Sequence, residues 1–226
     1  MSSDHYYTGA LSAERLKKCY DIAPPRTIEY LEAELQHATS HISLNDKVLE
    51  LGCGYGRALF KMAEKARSAC GIDTSLESLV MAKKLNQQKN IHLFQMNASS
   101  LGFSDNIFDI VVCVQNGISA FKLNPEDLLR ESIRVTRKGG KCLFSSYSEK
   151  FWDSRLEWFQ LQAAEGLLGE IDWNHTRDGV IVCKDGFKAT TFGADDFLEI
   201  TDRIGVEAVI SEIDRSSIFC EIIVDE

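Results

Sequence analysis

The feature that most constrains the fold is a regular alternation of strand-like and helix-like segments between residues 46 and 148. Five runs are rich in apolar and β-branched residues, as is typical of strands buried on both faces. They cover residues 47–51, 68–73, 91–97, 108–115 and 141–147. Segments with apolar residues at helical spacing separate them. Because strands that alternate with helices form parallel sheets with right-handed crossovers, we predict a doubly wound α/β fold.

Several helix boundaries carry recognisable end signals. Thr74 with Glu77 three residues later matches a capping box at the start of a helix. Asn124 followed by Pro125 marks the start of a later helix. The segment Arg137-Lys-Gly-Gly140 is predicted to form the basic last turn and the end of that helix.

Further segments flank the alternation on both sides. Pro25 opens an N-terminal helix, and the Asp178-Gly179 and Asp185-Gly186 pairs indicate hairpins after the core. No Gly/Ser-rich linker divides the chain, so we predict a single domain over residues 1–226. Its predicted parts are an N-terminal helical lid (1–45), the core (46–148), a small α/β insertion (149–205) and two closing antiparallel strands (206–226).

Charge and composition narrow the classes of function. The chain has 25 Lys and Arg against 34 Asp and Glu, a net charge of −9, which disfavours a nucleic-acid partner. Its longest apolar run, 110–114, is far below the roughly 20 residues that span a bilayer. The first residues carry no secretory signal. The seven cysteines show no CxxC and no metal-ligand spacing, so we expect a cytoplasmic protein without a metal site.

The carboxyl ends of the predicted strands carry residues suited to a ligand, which is where open parallel sheets bind one. Glu50 precedes the turn Gly52-Cys-Gly-Tyr-Gly56, whose glycines allow close backbone approach and which opens a helix. Asp73 can accept both ribose hydroxyls, as in dinucleotide-binding proteins. A nicotinamide fingerprint would need Gly at 57, where the chain has Arg57. From these residues alone, the alternative that the glycine motif is a tight turn with no ligand remains open.

Taken together, the motifs resemble the class I S-adenosylmethionine-dependent methyltransferase family. In order, they are Glu50-x-Gly-x-Gly-x-Gly56, Asp73, Asn97-Ala98, the Leu-x-Phe-x-Asp-x-x-Phe-Asp stretch at 101–109, and Arg137-Lys-Gly-Gly140. The match covers about residues 46–148, and the closing strands fit the family's antiparallel edge. The resemblance implies a mostly parallel seven-stranded sheet with an antiparallel edge strand, and S-adenosylmethionine as cofactor.

The resemblance also implies which residues hold the methionine end of the cofactor. Gly52, Cys53 and Gly54 would line that part of the site. Glu50 would orient the loop and the cofactor's ammonium group. Gln115 would border the methionine moiety and the methyl group that is transferred.

The nucleoside end is assigned in the same way. Asp73 and the adjoining Thr74 would bind the ribose, and Asn97 with the backbone of Ala98 would address the adenine. Family members more often carry Asp where this chain has Asn97. An amide oxygen can still accept a hydrogen bond from the adenine amine, so we expect binding with an altered set of hydrogen bonds.

The expected reaction is an in-line transfer of the sulfonium methyl group to O, N or S of a small-molecule acceptor. Such a transfer depends mainly on positioning, and no catalytic residue is assigned. His175 could act as a base, but a surface hairpin histidine without a role is the simpler interpretation. The acceptor is expected between the lid and the insertion, where aromatic and basic side chains either line a pocket or pack. These are Tyr6, Tyr7, Tyr20, Arg26, Trp152, Trp158 and Trp173.

Two other functions stay open from the sequence. The first is a non-catalytic, regulatory module that binds S-adenosylmethionine, because no base is recognisable. The second is a nucleotide-linked oxidoreductase, which Arg57 argues against. We expect a small-molecule acceptor, no nucleic-acid or membrane partner, and a monomer or homodimer.

Overall fold

A seven-stranded sheet forms the centre of the computed structural model, which describes residues 11–225. In sheet order the strands are β3 (Ile91–Gln95), β2 (Ser68–Asp73), β1 (Lys47–Leu51), β4 (Phe108–Cys113), β5 (Thr136–Tyr147), β9 (Ser217–Ile223) and β8 (Ala208–Ile213). Strands β1 to β5 are parallel, and β9 runs antiparallel between β5 and β8. The predicted doubly wound, mostly parallel sheet with an antiparallel edge is confirmed.

Eight helices surround this sheet in the described part of the chain. They are α1 (Ala13–Asp21), α2 (Pro25–Ser40), α3 (Arg57–Ala63), α4 (Leu76–Leu85), α5 (Gly117–Ala120), α6 (Pro125–Val135), α7 (Trp152–Ala164) and α8 (Ala194–Ile204). A two-stranded sheet of β6 (Ile181–Val182) and β7 (Lys188–Ala189) lies in the insertion. Within residues 11–225, no helix combines the length and the apolar composition that crossing a membrane requires.

The strands are buried on both faces because consecutive side chains point to opposite sides of a strand. Leu49 and Val111 pack in a cluster that includes side chains of α6 and α8. Their neighbours Val48 and Ile110 pack in a second cluster with side chains of α2 and α3. The near-continuous apolar runs of the sequence therefore correspond to central strands with helices on each face.

The capping box predicted at Thr74 and Glu77 is wrong. Ser75 is the N-cap residue of α4, and its hydroxyl accepts a hydrogen bond from the Ser78 N–H at 3.2 Å. The Glu77 carboxylate instead accepts from the Ser12 hydroxyl at 2.7 Å. Ser, Thr and Asp all cap helices well, so adjacent candidates differ little in sequence preference.

The helix end predicted at residues 137–140 is also wrong. Helix α6 ends at Val135, and β5 begins at once with Thr136. A side chain at Gly140 would approach the Asp109 carbonyl oxygen to 2.7 Å, next to a register shift between β4 and β5. The glycine therefore serves close strand packing at this irregularity.

Candidate functional site

A cavity of about 510 Å³ lies at the carboxyl ends of β1, β2 and β4. The strand order reverses between β1 and β4, and such a switch point is where open α/β sheets bind ligands. All nine predicted cofactor residues line this cavity: Glu50, Gly52, Cys53, Gly54, Asp73, Thr74, Asn97, Ala98 and Gln115. The structure thus brings the sequence motifs together, while their individual contacts with a cofactor stay predictions.

The turn after β1 owes its shape to its glycines. Gly52, Gly54 and Gly56 have φ angles of 71°, 52° and 92°, in the left-handed region that side chains disfavour. The Gly54 N–H donates to Asp73 Oδ2 at 2.8 Å, and the Cys53 N–H donates to the Ile72 carbonyl at 2.9 Å. The turn is therefore fastened to the end of β2.

Asp73 has a carboxylate that the backbone holds in place. Its Oδ2 accepts from Gly54 and its Oδ1 from the Ser75 N–H at 2.8 Å. Burial raises the pKa of Asp73, and these backbone hydrogen bonds oppose that rise. Each carboxylate oxygen has a second lone pair, so the group can still accept from two hydroxyls of a bound sugar.

Glu50 is buried in the wall of the cavity, with 4% of its surface exposed. Its Oε2 has no hydrogen-bond partner among the described residues. Burial raises the pKa of Glu50 to about 8, an effect that the positive charge of Arg57 opposes. Since buried polar atoms in native proteins are normally hydrogen-bonded, this oxygen marks a place for a ligand donor.

Gln115 supplies a hydrogen-bond donor to the cavity, whereas Glu50 supplies an acceptor. The residue has a φ of 58°, and its N–H donates to Glu34 Oε1 and to the Ser145 hydroxyl, each at 3.0 Å. Its Oε1 accepts from the Tyr20 hydroxyl, whereas its Nε2 is buried without a partner among the described residues. The cavity therefore offers an unpartnered donor as well as an unpartnered acceptor.

Glu34, on α2, was not identified from the sequence. It is 1% exposed, and its Oε1 also accepts from the Ser145 hydroxyl at 2.6 Å and from the Tyr30 hydroxyl at 3.2 Å. Burial raises the pKa of Glu34. The residue positions the Gln115 backbone. The sequence did contain a signal for this residue, because Glu34 is an acidic residue one helical turn from Leu31 and from Ala38 on the apolar face of α2.

Arg57 is a second residue that sequence reasoning missed as part of the site. It begins α3 and lines the cavity, with its guanidinium 4.8 Å from the centroid of the Tyr20 ring. A guanidinium is permanently charged and can bind a carboxylate through two parallel hydrogen bonds. Its presence directly after the glycine turn gives the site a positive group.

Asn97 lies two residues beyond the end of β3 and is exposed. Its Oδ1 accepts from the Ser99 N–H and hydroxyl, both at 3.0 Å. The oxygen expected to accept from an adenine amine is thus already engaged, and a further donor would have to share it. Ala98, beside it, is buried with 6% exposure.

The loop that follows Asn97 is clamped from α6. Arg134 donates to the carbonyl oxygens of Leu101 at 2.9 Å and Phe103 at 2.8 Å. Glu131 accepts from the Leu101 N–H at 2.7 Å and pairs with Arg134. This clamp fixes the stretch that leads from the cavity back into β4.

Three parts of the chain form the cap of the cavity, which we define as α1, α7 and Phe187. Its cavity-lining residues are mostly apolar or aromatic: Leu16, Cys19, Tyr20, Trp158, Phe159, Gln162 and Phe187. The Trp158 indole N–H donates to the Cys19 carbonyl at 2.7 Å and so joins α7 to α1. The cap gives this part of the wall an apolar and aromatic character.

Among the lid and insertion candidates within residues 11–225, Arg26, Trp152 and Trp173 do not line the cavity. Arg26 pairs with Asp214 at 2.6 Å, Trp152 packs against the apolar cluster of the insertion, and Trp173 is 58% exposed. His175 pairs with Asp172 at 2.7 Å with most of its side chain exposed, so it is remote from the predicted chemistry. The tyrosines at positions 6 and 7 lie outside the described residues.

Comparisons with known proteins agree with this geometry. Residues 49–144 match a family model described as a methyltransferase domain. The chain is 31% identical over 184 residues to a malonyl-[acyl-carrier protein] O-methyltransferase from Marinomonas sp. (strain MWYL1), covering 72% of this chain and 66% of that protein. It is 27% identical over 133 residues to a ubiquinone biosynthesis O-methyltransferase from Pseudomonas fluorescens (strain Pf0-1), covering 58% and 53%.

The fold is shared with a solved S-adenosylmethionine-dependent methyltransferase from Methanosarcina mazei. The TM-score is 0.60 at 20% identity, covering 83% of this chain and 96% of that one. Fold and cavity thus define an α/β protein with a ligand site at the switch point. The chain belongs to the class I S-adenosylmethionine-dependent methyltransferase family, and S-adenosylmethionine is its cofactor. It spans between about half and two thirds of the length of the two curated relatives above.

The residues of the cavity fit the chemical groups of this cofactor. The unpartnered Oε2 of Glu50 suits the ammonium group, and the guanidinium of Arg57 suits the carboxylate. Asp73 suits the ribose hydroxyls, and the surroundings of Ala98 suit the adenine. The unpartnered Nε2 of Gln115 is an additional donor at the methionine end.

Proposed function

We propose that this chain transfers the methyl group of S-adenosylmethionine to a small-molecule acceptor by in-line displacement. One observation carries the proposal: the nine motif residues line one cavity together with the guanidinium of Arg57 and the aromatic residues Tyr20, Trp158, Phe159 and Phe187. A cavity of about 510 Å³ falls in the range of small-molecule sites. The named O-methyltransferase relatives support the same class of reaction.

The chain's own residues contribute by positioning. When bound, S-adenosylmethionine supplies a methyl group on a sulfonium, which is already a good leaving group. Asp73, Glu50 and Arg57 fix the polar ends of the cofactor, and the cap excludes water from the space between donor and acceptor. Holding two reactants in a reactive arrangement can supply roughly 7–11 kcal/mol of the barrier.

The ionisable side chains favour an acceptor that needs no general base. Among the described residues that line the cavity there is no histidine, and the carboxylates of Glu50 and Asp73 are assigned to the cofactor. Burial raises the pKa of Tyr55 and of Cys19 to about 12, so neither ionises near neutral pH. A carboxylate oxygen attacks without losing a proton, so we propose O-methylation of a small carboxylic acid with an apolar body.

We further propose a cytoplasmic protein that acts as a monomer or homodimer and does not bind nucleic acid. The seven cysteines are free thiols, which supports a reducing compartment. The net charge of −9 supports the absence of a nucleic-acid partner.

The experiment has a binding arm and a turnover arm. Calorimetry with S-adenosylhomocysteine should show saturable one-to-one binding. Methyl-labelled S-adenosylmethionine incubated with pools of carboxylic acids, phenols, amines and thiols should yield a base-labile methyl ester. Asp73→Asn should weaken binding at least tenfold, since it removes a charged acceptor worth roughly 1.5–3 kcal/mol. Asp172→Asn, in the insertion and outside the cavity lining, is the matched control.

Each outcome decides between the candidate functions. Absence of binding would overturn the proposal. Tight binding with no transfer to any pool would favour the non-catalytic module. Transfer to amines or thiols alone would support the methyltransferase activity and contradict the proposal that the acceptor is a carboxylic acid. Binding of a nicotinamide dinucleotide in place of S-adenosylhomocysteine would revive the oxidoreductase.

A further inference from the structure

Away from the cavity, three metal-ligating side chains converge between α2 and β9. His37 Nε2 lies 2.9 Å from Glu221 Oε1, and His41 Nε2 lies 3.5 Å from Glu221 Oε2. One ligand atom from each residue lies within 4.8 Å of the others. The three side chains retain 15–20% exposure, so the cluster is half-buried but open to water.

The backbone explains why these residues meet. His37 and His41 are four positions apart at the end of α2, so their side chains share one face of the helix. Glu221 is paired with Leu143 of β5 and with Val209 of β8, which fixes it in the interior of the sheet. The His37 ring packs on Phe219, with centroids 4.4 Å apart. All three donors therefore project from rigid elements, as a metal site requires.

We propose that His37, His41 and Glu221 bind a divalent first-row transition-metal ion, with Zn²⁺ the best match. Two imidazoles and one carboxylate form a three-ligand set that Zn²⁺ completes with a water molecule. The sequence signal is a His-x-x-x-His spacing on a helix, but its carboxylate follows 180 positions after the second histidine (221 − 41). Spacing rules within one segment do not detect such a site.

Lys141, on β5, opposes metal binding. Its ammonium nitrogen lies 3.1 Å from His41 Nδ1. An ammonium donates to Nδ1, which places the proton of a neutral imidazole on Nε2, facing Glu221. For Nε2 to bind the metal, that proton must move to Nδ1 and the Lys141 side chain must turn away. The neutral histidine changes tautomer in this step and keeps its proton.

A metal bound at this place would be connected to the cavity through helix α2. The helix that carries His37 also carries Tyr30 and Glu34, and Glu34 holds the backbone of Gln115. A bound ion would join the carboxyl end of α2 to β9. The site is therefore assigned a structural effect, which a metal-dependent rise in thermal stability would report.

The test is a titration of the full chain, free of any histidine tag, with Zn²⁺ and with Co²⁺. We expect one equivalent of Zn²⁺ to bind and to raise the melting temperature. His37→Ala and Glu221→Gln should each lower the affinity at least tenfold. Lys141→Met should raise the affinity severalfold, because it removes the competing cation. His92→Ala and His175→Ala are the controls and should bind as the wild type does.

Three results would overturn the site. They are the absence of stoichiometric Zn²⁺ binding, unchanged affinity in both His37→Ala and Glu221→Gln, or thiolate-to-metal charge-transfer absorption with Co²⁺. The last result would place the metal on cysteine. Glu221→Gln preserves side-chain size, so it decides the question if His37→Ala does not fold. S-adenosylhomocysteine binding is measured in parallel, which separates this outcome from that of the proposed function.

Discussion

Two unpartnered atoms, Glu50 Oε2 and Gln115 Nε2, are the clearest single-residue evidence for a ligand. Leaving a buried polar atom without a hydrogen bond costs roughly 1–3 kcal/mol. Among the described residues neither atom has a hydrogen-bond partner, and a molecule with a matching donor and acceptor would satisfy both. The same property makes Glu50 sensitive to pH.

Glu50→Gln should stabilise the protein in a pH-dependent way. Burial raises the pKa of Glu50 from 4.5 to about 8 in the folded state. The folded chain therefore binds this proton more tightly, and the resulting stability is full below pH 4.5 and is lost as the pH rises towards about 8. Relative to the wild type, the variant should gain on the order of 5 kcal/mol across this window.

Urea unfolding of both proteins at a series of pH values measures this difference. Glu199→Gln, an exposed residue of α8, serves as the control and should follow the wild type. If the wild type and Glu50→Gln kept a constant difference in free energy of unfolding from pH 4.5 to pH 8, the raised pKa of Glu50 would be refuted.

At the scale of elements, the loop between β3 and β4 depends on α6. Arg134 and Glu131 supply side-chain hydrogen bonds to a stretch that lacks strand partners. Asn97 and Ala98 begin this stretch and line the cavity. The helix therefore supports the predicted nucleoside end of the site, although none of its residues lines the cavity.

Arg134→Met should lower both stability and cofactor affinity. The variant keeps an apolar stem but loses the bonds to the Leu101 and Phe103 carbonyls, at a cost of roughly 1–2 kcal/mol. For a chain of this size we expect a fall in melting temperature of roughly 2–8 °C. Arg203→Met removes exposed ion pairs with Glu126 and Glu199 and is the control. Equal melting temperatures for the two variants would contradict the clamp.

The elements also show what the sequence could predict and what it could not. The five core strands and their ligand-bearing ends were predictable because a buried parallel strand needs apolar residues on both faces. The Thr74 cap and the 137–140 helix end were wrong because caps and glycines have several local uses. Glu34 and the histidine cluster depend on partners 81 to 184 positions away, which local patterns do not reveal.

At the scale of the whole molecule, the cap links the N-terminal helix to the insertion. Arg15 donates to the Gly166 and Leu167 carbonyls at 2.8 and 3.1 Å, and Lys18 pairs with Glu165 at 2.7 Å. With the Trp158 bond, these contacts make α1 and α7 one unit above the sheet. Side chains of both helices line the cavity.

Ligand binding should therefore slow hydrogen exchange in both halves of the cap. With saturating S-adenosylhomocysteine, we expect the backbone amides of α1 and α7 to gain protection together with the Gly52–Gly56 turn. Ligand bound to the native state stabilises it by roughly 2.7 kcal/mol at 100 times Kd. Mass spectrometry of exchanged peptides measures this, with β8 as an internal reference. Protection confined to the turn would show that the cap does not respond to the cofactor.

The antiparallel strand β9 has a practical consequence for anyone trimming this protein. It covers the hydrogen-bonding edge of β5 from Lys141 to Tyr147. A fragment limited to the matched segment, residues 49–144, would lose β9. The apolar residues Cys142, Leu143 and Phe144 would then lie on an unpaired edge strand. Unpaired edge strands of this kind form hydrogen bonds with strands of other chains and promote aggregation. We therefore expect the fragment 49–144 to aggregate more readily than the chain that retains β9.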